Sequence, residues 1–310
     1  MSRILVVGAG ATGGFFGTRL AQHGRDVTFL VREARAAQLR RDGLRVTGLG
    51  ADEVITPQVL TTAELDTTYD VVLLTVKATA LDAAVGDLAP AVGPDTALVP
   101  FLNGLDHLRV LNDRFGVQTV LGGVVMVMTT LGADGSIVQL APMASITIGA
   151  QREPTPQVRL AERLLAGAGF ELDVSADIVS AMWHKWVFIA SIGALTSLGG
   201  GAVGEIVAVP GGADLGPAIL DEAAAVAKAA GHPLPDERYA FTRAMLTESG
   251  SANTSSLFRD RQGGRPTEAE HILGHLARRG RALGVDTPLL DLATLTLRVY
   301  EKRLAVAAGG

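Results

Sequence analysis

Lys185 stands in Met182-Trp183-His184-Lys185-Trp186-Val187-Phe188-Ile189, an otherwise apolar helical run. A lysine that loses solvent loses part of what stabilises its charge, so its pKa falls toward the range useful for proton transfer. The plainer reading is a lysine whose stem lies along the helix edge with its head in water. Two other polar residues stand where apolar strand patterns end. Val76-Lys77-Ala78 closes one such run, and Pro100-Phe101-Leu102-Asn103-Gly104 closes the next. In open α/β sheets the ligand lies beyond the carboxyl ends of the strands, so Lys77 and Asn103 are candidates to meet cofactor or substrate. A solvated loop charge and a turn or N-cap residue are their plainer alternatives.

Gly8-Ala9-Gly10-Ala11-Thr12-Gly13 has the G-x-G-x-x-G spacing, follows the apolar run Ile4-Leu5-Val6-Val7 and opens a helical pattern. In that context each glycine has a task. Gly8 permits the tight turn, Gly10 lets the backbone approach a pyrophosphate, and Gly13 lets helix and strand pack closely. The helix N-terminus then offers N–H donors and a positive dipole end to the phosphates. The next strand pattern, Val27 to Val31, ends in Arg32 and not in an acidic residue. A carboxylate there would bind a ribose 2′-hydroxyl, whereas a guanidinium can hold a 2′-phosphate in a bidentate fork. The expected cofactor is therefore NADP, with Glu33 beside Arg32 as the one contrary sign and a simple surface charge as the alternative.

Glu268 lies in Pro266-Thr267-Glu268-Ala269-Glu270. Thr267 as an N-cap with Glu270 closing a capping box would account for the acid there, though Glu268 can also pair with Lys185. Glu268, His271 and His275 share a helix face, yet two histidines four apart on an amphipathic helix are usually surface residues, and no metal is expected.

The elements that must position these residues fall into two kinds. Short, nearly continuous apolar runs alternate with helical stretches up to about residue 173, the signature of a doubly wound parallel sheet of Rossmann type. Residues 120–149 read differently, as a hairpin around Asp134-Gly135 with a further strand at 145–148, taken as an antiparallel extension of that sheet. After residue 174 the strand signal stops and helical spacing continues between Gly/Pro-rich breaks. The expected architecture is a dinucleotide-binding domain over 1–173 and an all-helical substrate and catalytic domain over 174–310, with only the last few residues as a tail.

The composition agrees with an ordinary globular chain. Its 310 residues are 48% hydrophobic and 19% charged, enough for two cores. A net charge of -5 offers nucleic acid no electrostatic attraction. The absence of cysteine excludes disulfides, thiolate metal sites and a cysteine nucleophile. The long weakly charged stretch at 178–204 carries Lys185, so it reads as a buried helix and not a membrane span. No export signal is visible, and a cytoplasmic location is expected. The expected partner is a small-molecule carbonyl compound, and the apolar character of the helical half makes a homodimer plausible.

Together these residues resemble the ketopantoate reductase (2-dehydropantoate 2-reductase) family over essentially the whole length. The resemblance runs from the glycine turn and Arg32 through Val76-Lys77-Ala78, Asn103-Gly104 and Trp183-His184-Lys185-Trp186. It ends with Thr254-Ser255-Ser256-Leu257-Phe258-Arg259-Asp260 and Thr267-Glu268, in which Ser256 precedes Glu268 by twelve residues. It implies hydride transfer from NADPH to the carbonyl of a 2-keto acid, with Lys185 as general acid and Glu268 holding and tuning it. Lys77 and Asn103 would line the nicotinamide and substrate site, and Ser256 would contact substrate. The family often has asparagines four and eight residues after the lysine; here Ile189 and Gly193 occupy those positions. Two lost amides change which substrate can be recognised. The alternatives are the same hydride chemistry on a more apolar ketone or an imine, or an NADP-binding sensor without turnover.

Overall fold

The computed structural model describes residues 2–309. The chain divides into two compact units, Met1–Val179 and Ser180–Gly310. The sequence suggests a boundary after residue 173; the division falls a few residues later, in the first turn of the helix that carries Lys185.

In the first unit the strands are β1 (Arg3–Val7), β2 (Asp26–Leu30), β3 (Leu44–Gly48), β4 (Ala51–Ile55), β5 (Gln58–Leu60), β6 (Val71–Leu74), β7 (Ala97–Pro100), β8 (Gly122–Leu131), β9 (Ile137–Gly149) and β10 (Glu171–Val174). The helices are α1 (Ala11–Gln22), α2 (Glu33–Asp42), α3 (Leu81–Leu88), α4 (Asp106–Phe115) and α5 (Pro156–Leu165). Among the described residues the strands form two five-stranded sheets. The first runs β5-β2-β1-β6-β7 and every pairing in it is parallel. Its apolar strands are covered on both faces, and Ile4, Leu5, Val6, Val71, Val72, Leu73 and Leu98 are fully buried. The chain winds outward from β1 through β2 and β5, then returns to lay β6 on the other side of β1. The order of strands thus reverses between β1 and β6, where such sheets open a ligand crevice.

The expected antiparallel addition exists as the β8–β9 hairpin, but it belongs to a second sheet. In that sheet β9 pairs with β8 along one edge and with β3 and β10 along the other, and β4 completes it. Residues 145–148 are the distal half of β9 and not a separate strand. Helix α1 lies between the two sheets. A Cβ at Gly17 would come within 2.5 Å of the Phe29 ring in the first sheet, and one at Gly14 within 2.3 Å of Ile137 in the second. The close approach of a helix to two sheets at once requires these bare positions.

The second unit is helical: α6 (Ile178–Gly199), α7 (Val203–Val207), α8 (Gly212–Ala229), α9 (Asp236–Thr247), α10 (Ser256–Gln262), α11 (His275–Ala282) and α12 (Pro288–Gly309). A π-helical segment, Glu270–Gly274, leads into α11. Helix α12 continues to Gly309, past the point where a tail is expected. Helix α6 is long and apolar enough to cross a membrane by length and composition. Most of its apolar side chains are instead buried in protein, including Met182, Trp183, Trp186, Val187, Ala190, Ala194 and Leu195.

Candidate active site

The parallel register aligns the polar candidates of the first unit. Val7, Leu74 and Pro100 lie side by side at the carboxyl ends of β1, β6 and β7. Gly8 stands one residue beyond that row, and Lys77 and Asn103 each stand three beyond it. Lys77 is exposed, Asn103 half-buried. Lys77 opens a short 3-10 turn, its carbonyl accepting from Ala80 N at 2.9 Å. Gly104, after Asn103, has φ +78, a value that lets the chain turn from β7 into α4.

Gly8 has φ +100, and its N–H donates to the Leu30 carbonyl at 2.9 Å, tying the turn to the end of β2. Gly10 is the N-cap of α1, with no side-chain cap and no acid in the first turn. A Cβ at Gly10 would meet nothing within 4 Å, whereas one at Gly13 would fall 2.0 Å from Thr75 Oγ1 and 2.2 Å from the Gly8 carbonyl. The turn is therefore closed on its protein side and open where a phosphate would sit, and these residues fit a dinucleotide. Sequence reading missed Thr75. Its hydroxyl lies 2.9 Å from both the Val7 and Gly8 carbonyls and donates to them, holding the turn to β6.

Arg32 is the N-cap of α2 and is exposed. Its guanidinium makes no hydrogen bond or ion pair among the described residues, which leaves its fork available to an anion.

In the second unit, Lys185, Ile189, Gly193 and Thr196 follow one face of α6 at helical spacing. Lys185 keeps some exposure, but burial around its ammonium lowers its pKa to about 8, against a smaller opposing pull from Glu268. Glu268 lies just ahead of the π segment, and its carbonyl accepts from His271 N and Ile272 N. The capping box, the plainer alternative for this segment, does not form. Thr267 donates through its N–H and hydroxyl to Glu301, and Glu270 pairs with Arg278 and Arg298.

Ile189 is half-buried. Gly193 is buried, and a Cβ there would lie 3.0 Å from Leu257 Cδ1 and 3.9 Å from Leu273 Cδ2. Apolar side chains fill the space beside this position. Ser256 is the exposed first residue of α10. The cap of that helix is Ser255, whose hydroxyl accepts from Phe258 N at 3.0 Å and meets Thr196 Oγ1 at 2.7 Å. His271 and His275 meet edge to face, with ring centroids 5.2 Å apart. Among the described residues no three His, Cys, Asp or Glu side chains are grouped to hold a metal ion.

Residues 4–153 match the family described as ketopantoate reductase PanE/ApbA, and residues 177–301 match its C-terminal region. The chain belongs to this family of oxidoreductases. It is 30% identical to an uncharacterised oxidoreductase of Bacillus subtilis (strain 168), over 96% of this chain and 99% of that one. The solved 2-dehydropantoate 2-reductase of Methylococcus capsulatus is 30% identical, with a TM-score of 0.84 over 97% of each chain. D-mandelate dehydrogenase, solved with NADH and anilino(oxo)acetate, shares the fold at 22% identity, with a TM-score of 0.88 over 98% of this chain and 99% of that one. Ketopantoate reductases therefore share this chain's two-part build, a parallel-sheet α/β unit followed by a helical one.

Proposed function

We propose that this ketopantoate reductase family member is an NADPH-dependent reductase of a 2-oxo acid, with Lys185 as the general acid. The observation that carries the reading is Lys185 itself, a lysine with a pKa lowered to about 8 and a carboxylate, Glu268, acting on its charge. Near neutral pH such a lysine is mostly protonated yet gives up its proton more readily than a solvated one. Bound NADPH supplies the hydride that reduces the carbonyl carbon. Lys185 Nζ donates its proton to the carbonyl oxygen, so a hydroxyl forms and the lysine is left neutral. Its positive charge also stabilises the negative charge that develops on that oxygen. Glu268 limits the fall of the lysine pKa and so keeps the acid loaded.

The preference for NADPH rests on Arg32, whose free guanidinium suits a 2′-phosphate. The roles of Lys77 and Asn103 at the nicotinamide and substrate, and of Ser256 at the substrate, rest on the family resemblance and on their positions. The apolar filling beside Gly193 favours an acceptor with an apolar substituent over one recognised through amide hydrogen bonds. Such an acceptor is a branched or aromatic 2-oxo acid, with an apolar ketone or imine as the alternative. The test follows NADPH oxidation over a panel of 2-oxo acids, ketones and imines. Turnover is expected with 2-oxo acids, fastest with apolar ones. If no member of the panel is reduced, the chain binds the nucleotide without turnover and the reductase reading fails.

A further inference from the structure

We propose that Arg35 is a positioning residue of the dinucleotide turn, one that aims the Gly10 N–H by holding the Ala9 carbonyl against the tip of the β8–β9 hairpin. The inference rests on the reading that this turn binds a nicotinamide dinucleotide. Arg35 Nη2 donates to two carbonyl oxygens, those of Ala9 and Gly135, each at 3.1 Å. Its Nη1 donates to Gln38 Oε1 at 2.7 Å, and Gln38 Nε2 donates in turn to the Asp134 carbonyl at 2.8 Å. One guanidinium thus joins three segments that are distant in sequence: the glycine turn, the first turns of α2 and the hairpin tip.

The consequence follows from peptide geometry. In a trans peptide the C=O and the following N–H point in opposite directions. A bond that holds the Ala9 carbonyl toward Arg35 directs the Gly10 N–H the other way, and a Cβ at Gly10 would meet nothing within 4 Å. That donor is one the pyrophosphate is expected to use. The hairpin tip is itself held firmly. Asp134 Oδ1 accepts from Ser136 N and Ser136 Oγ, and Ile137, next in the chain, packs against Gly14 of α1. Gly135 has φ +81, and a Cβ there would lie 2.7 Å from Arg35 Nη1 and 2.6 Å from Gln38 Nε2. The tip reaches Arg35 only because residue 135 has no side chain.

The role differs from that of Arg32. A fork that binds the 2′-phosphate distinguishes NADPH from NADH, but a residue that aims a pyrophosphate donor serves both equally. The test is fluorescence titration of full-length protein with NADPH and with NADH, alongside the melting temperature of the free protein. Arg35→Ala is expected to raise both Kd values by the same factor, about tenfold for the loss of one charge-assisted hydrogen bond. Arg35→Lys keeps a cationic donor but loses the second nitrogen that binds Gln38 and the planar fork, so it recovers part of the loss. Gly135→Ala, which leaves Arg35 in place but displaces the tip, is expected to raise both values by a smaller common factor. Wild-type binding with unchanged Kd values in Arg35→Ala overturns this inference alone. A rise confined to NADPH also overturns it, because Arg35 would then be a direct 2′-phosphate ligand. Wild-type protein that binds neither nucleotide overturns the cofactor reading together with this inference.

Discussion

Trp186 Nε1 donates to the Ile272 carbonyl at 2.8 Å, and both residues are buried. Trp186 follows Lys185 directly, and the Ile272 N–H binds the Glu268 carbonyl at 3.0 Å. This one side chain therefore fixes the helix carrying the lysine to the segment carrying the carboxylate. The π-helical turn supplies the acceptor, since a carbonyl in such a turn is offset from the regular i to i+4 ladder, and π turns recur at functional sites.

The pairing has a pH signature. The proposed reduction would need protonated Lys185, whose pKa is lowered to about 8, so kcat is expected to hold below that value and to fall as pH rises through it. Glu268 opposes the lowering, so Glu268→Gln should shift the falling limb to lower pH. Lys185→Ala should reduce kcat by about 10²–10⁴ while nucleotide binding is kept. A pH–rate profile that stays flat to pH 9.5 or so would remove Lys185 from the acid role.

The proposed preference for NADPH rests on a different residue, Arg32. Arg32→Ala is expected to raise the KM for NADPH by about tenfold or more, the value of a charge-assisted hydrogen bond, with little change for NADH. Parallel steady-state measurements with the two nucleotides decide it. Equal effects on both would mean that Arg32 does not read the 2′-phosphate.

Two glycines of one motif should behave differently. Gly13→Ala forces a Cβ into Thr75 Oγ1 and the Gly8 carbonyl, and the melting temperature should fall by several degrees for a cost of about 1–3 kcal/mol. Gly10→Ala meets open space, so the free protein should melt like wild type while losing affinity for both nucleotides. Calorimetry with and without NADPH separates the cases, and a Gly10→Ala protein with normal affinity would show that no phosphate approaches there.

The proposed substrate face at Ile189 and Gly193 can be probed by introducing an amide. Gly193→Asn brings new atoms against Leu257, which a Cβ alone already approaches to 3.0 Å, and should cost about 1–3 kcal/mol. In a Leu257→Ala background the same substitution should cost less, because the two sites share one volume. Strict additivity of the two denaturation shifts would argue that Leu257 does not fill that space. Ile189→Asn should move preference among 2-oxo acids toward polar ones.

Much of this protein is legible in its amino-acid order because the relevant physics is local. The strands β1, β2, β6 and β7 announce themselves as apolar runs, since a parallel strand covered on both faces needs no alternation. The turn at Gly8, Gly10 and Gly13 is legible because backbone conformation and close approach depend on residues adjacent in the chain. Lys185 stands out as a charge in an apolar helix, and Arg32 as a cation where an acid is usual. By contrast, β3, β4 and β5 are short and half-polar, and only their partners make them strands. The second sheet was hidden for the same reason: the hairpin is local, but its neighbours come from residues 44–55 and 171–174.

The tertiary structure decided the rest by bringing distant groups together. Thr75 buttresses the turn from 67 residues away, and Arg35 reaches the hairpin tip across 100. Leu257 closes the space at Gly193, and Trp186 finds the Ile272 carbonyl 86 residues on. None of these partners carries a mark of its own, because a hydroxyl, a leucine or an indole gains its role only from what the fold sets against it. The residues proposed to meet cofactor or substrate can be read as chemistry, but those that hold them in register depend on packing between segments that no spacing rule connects.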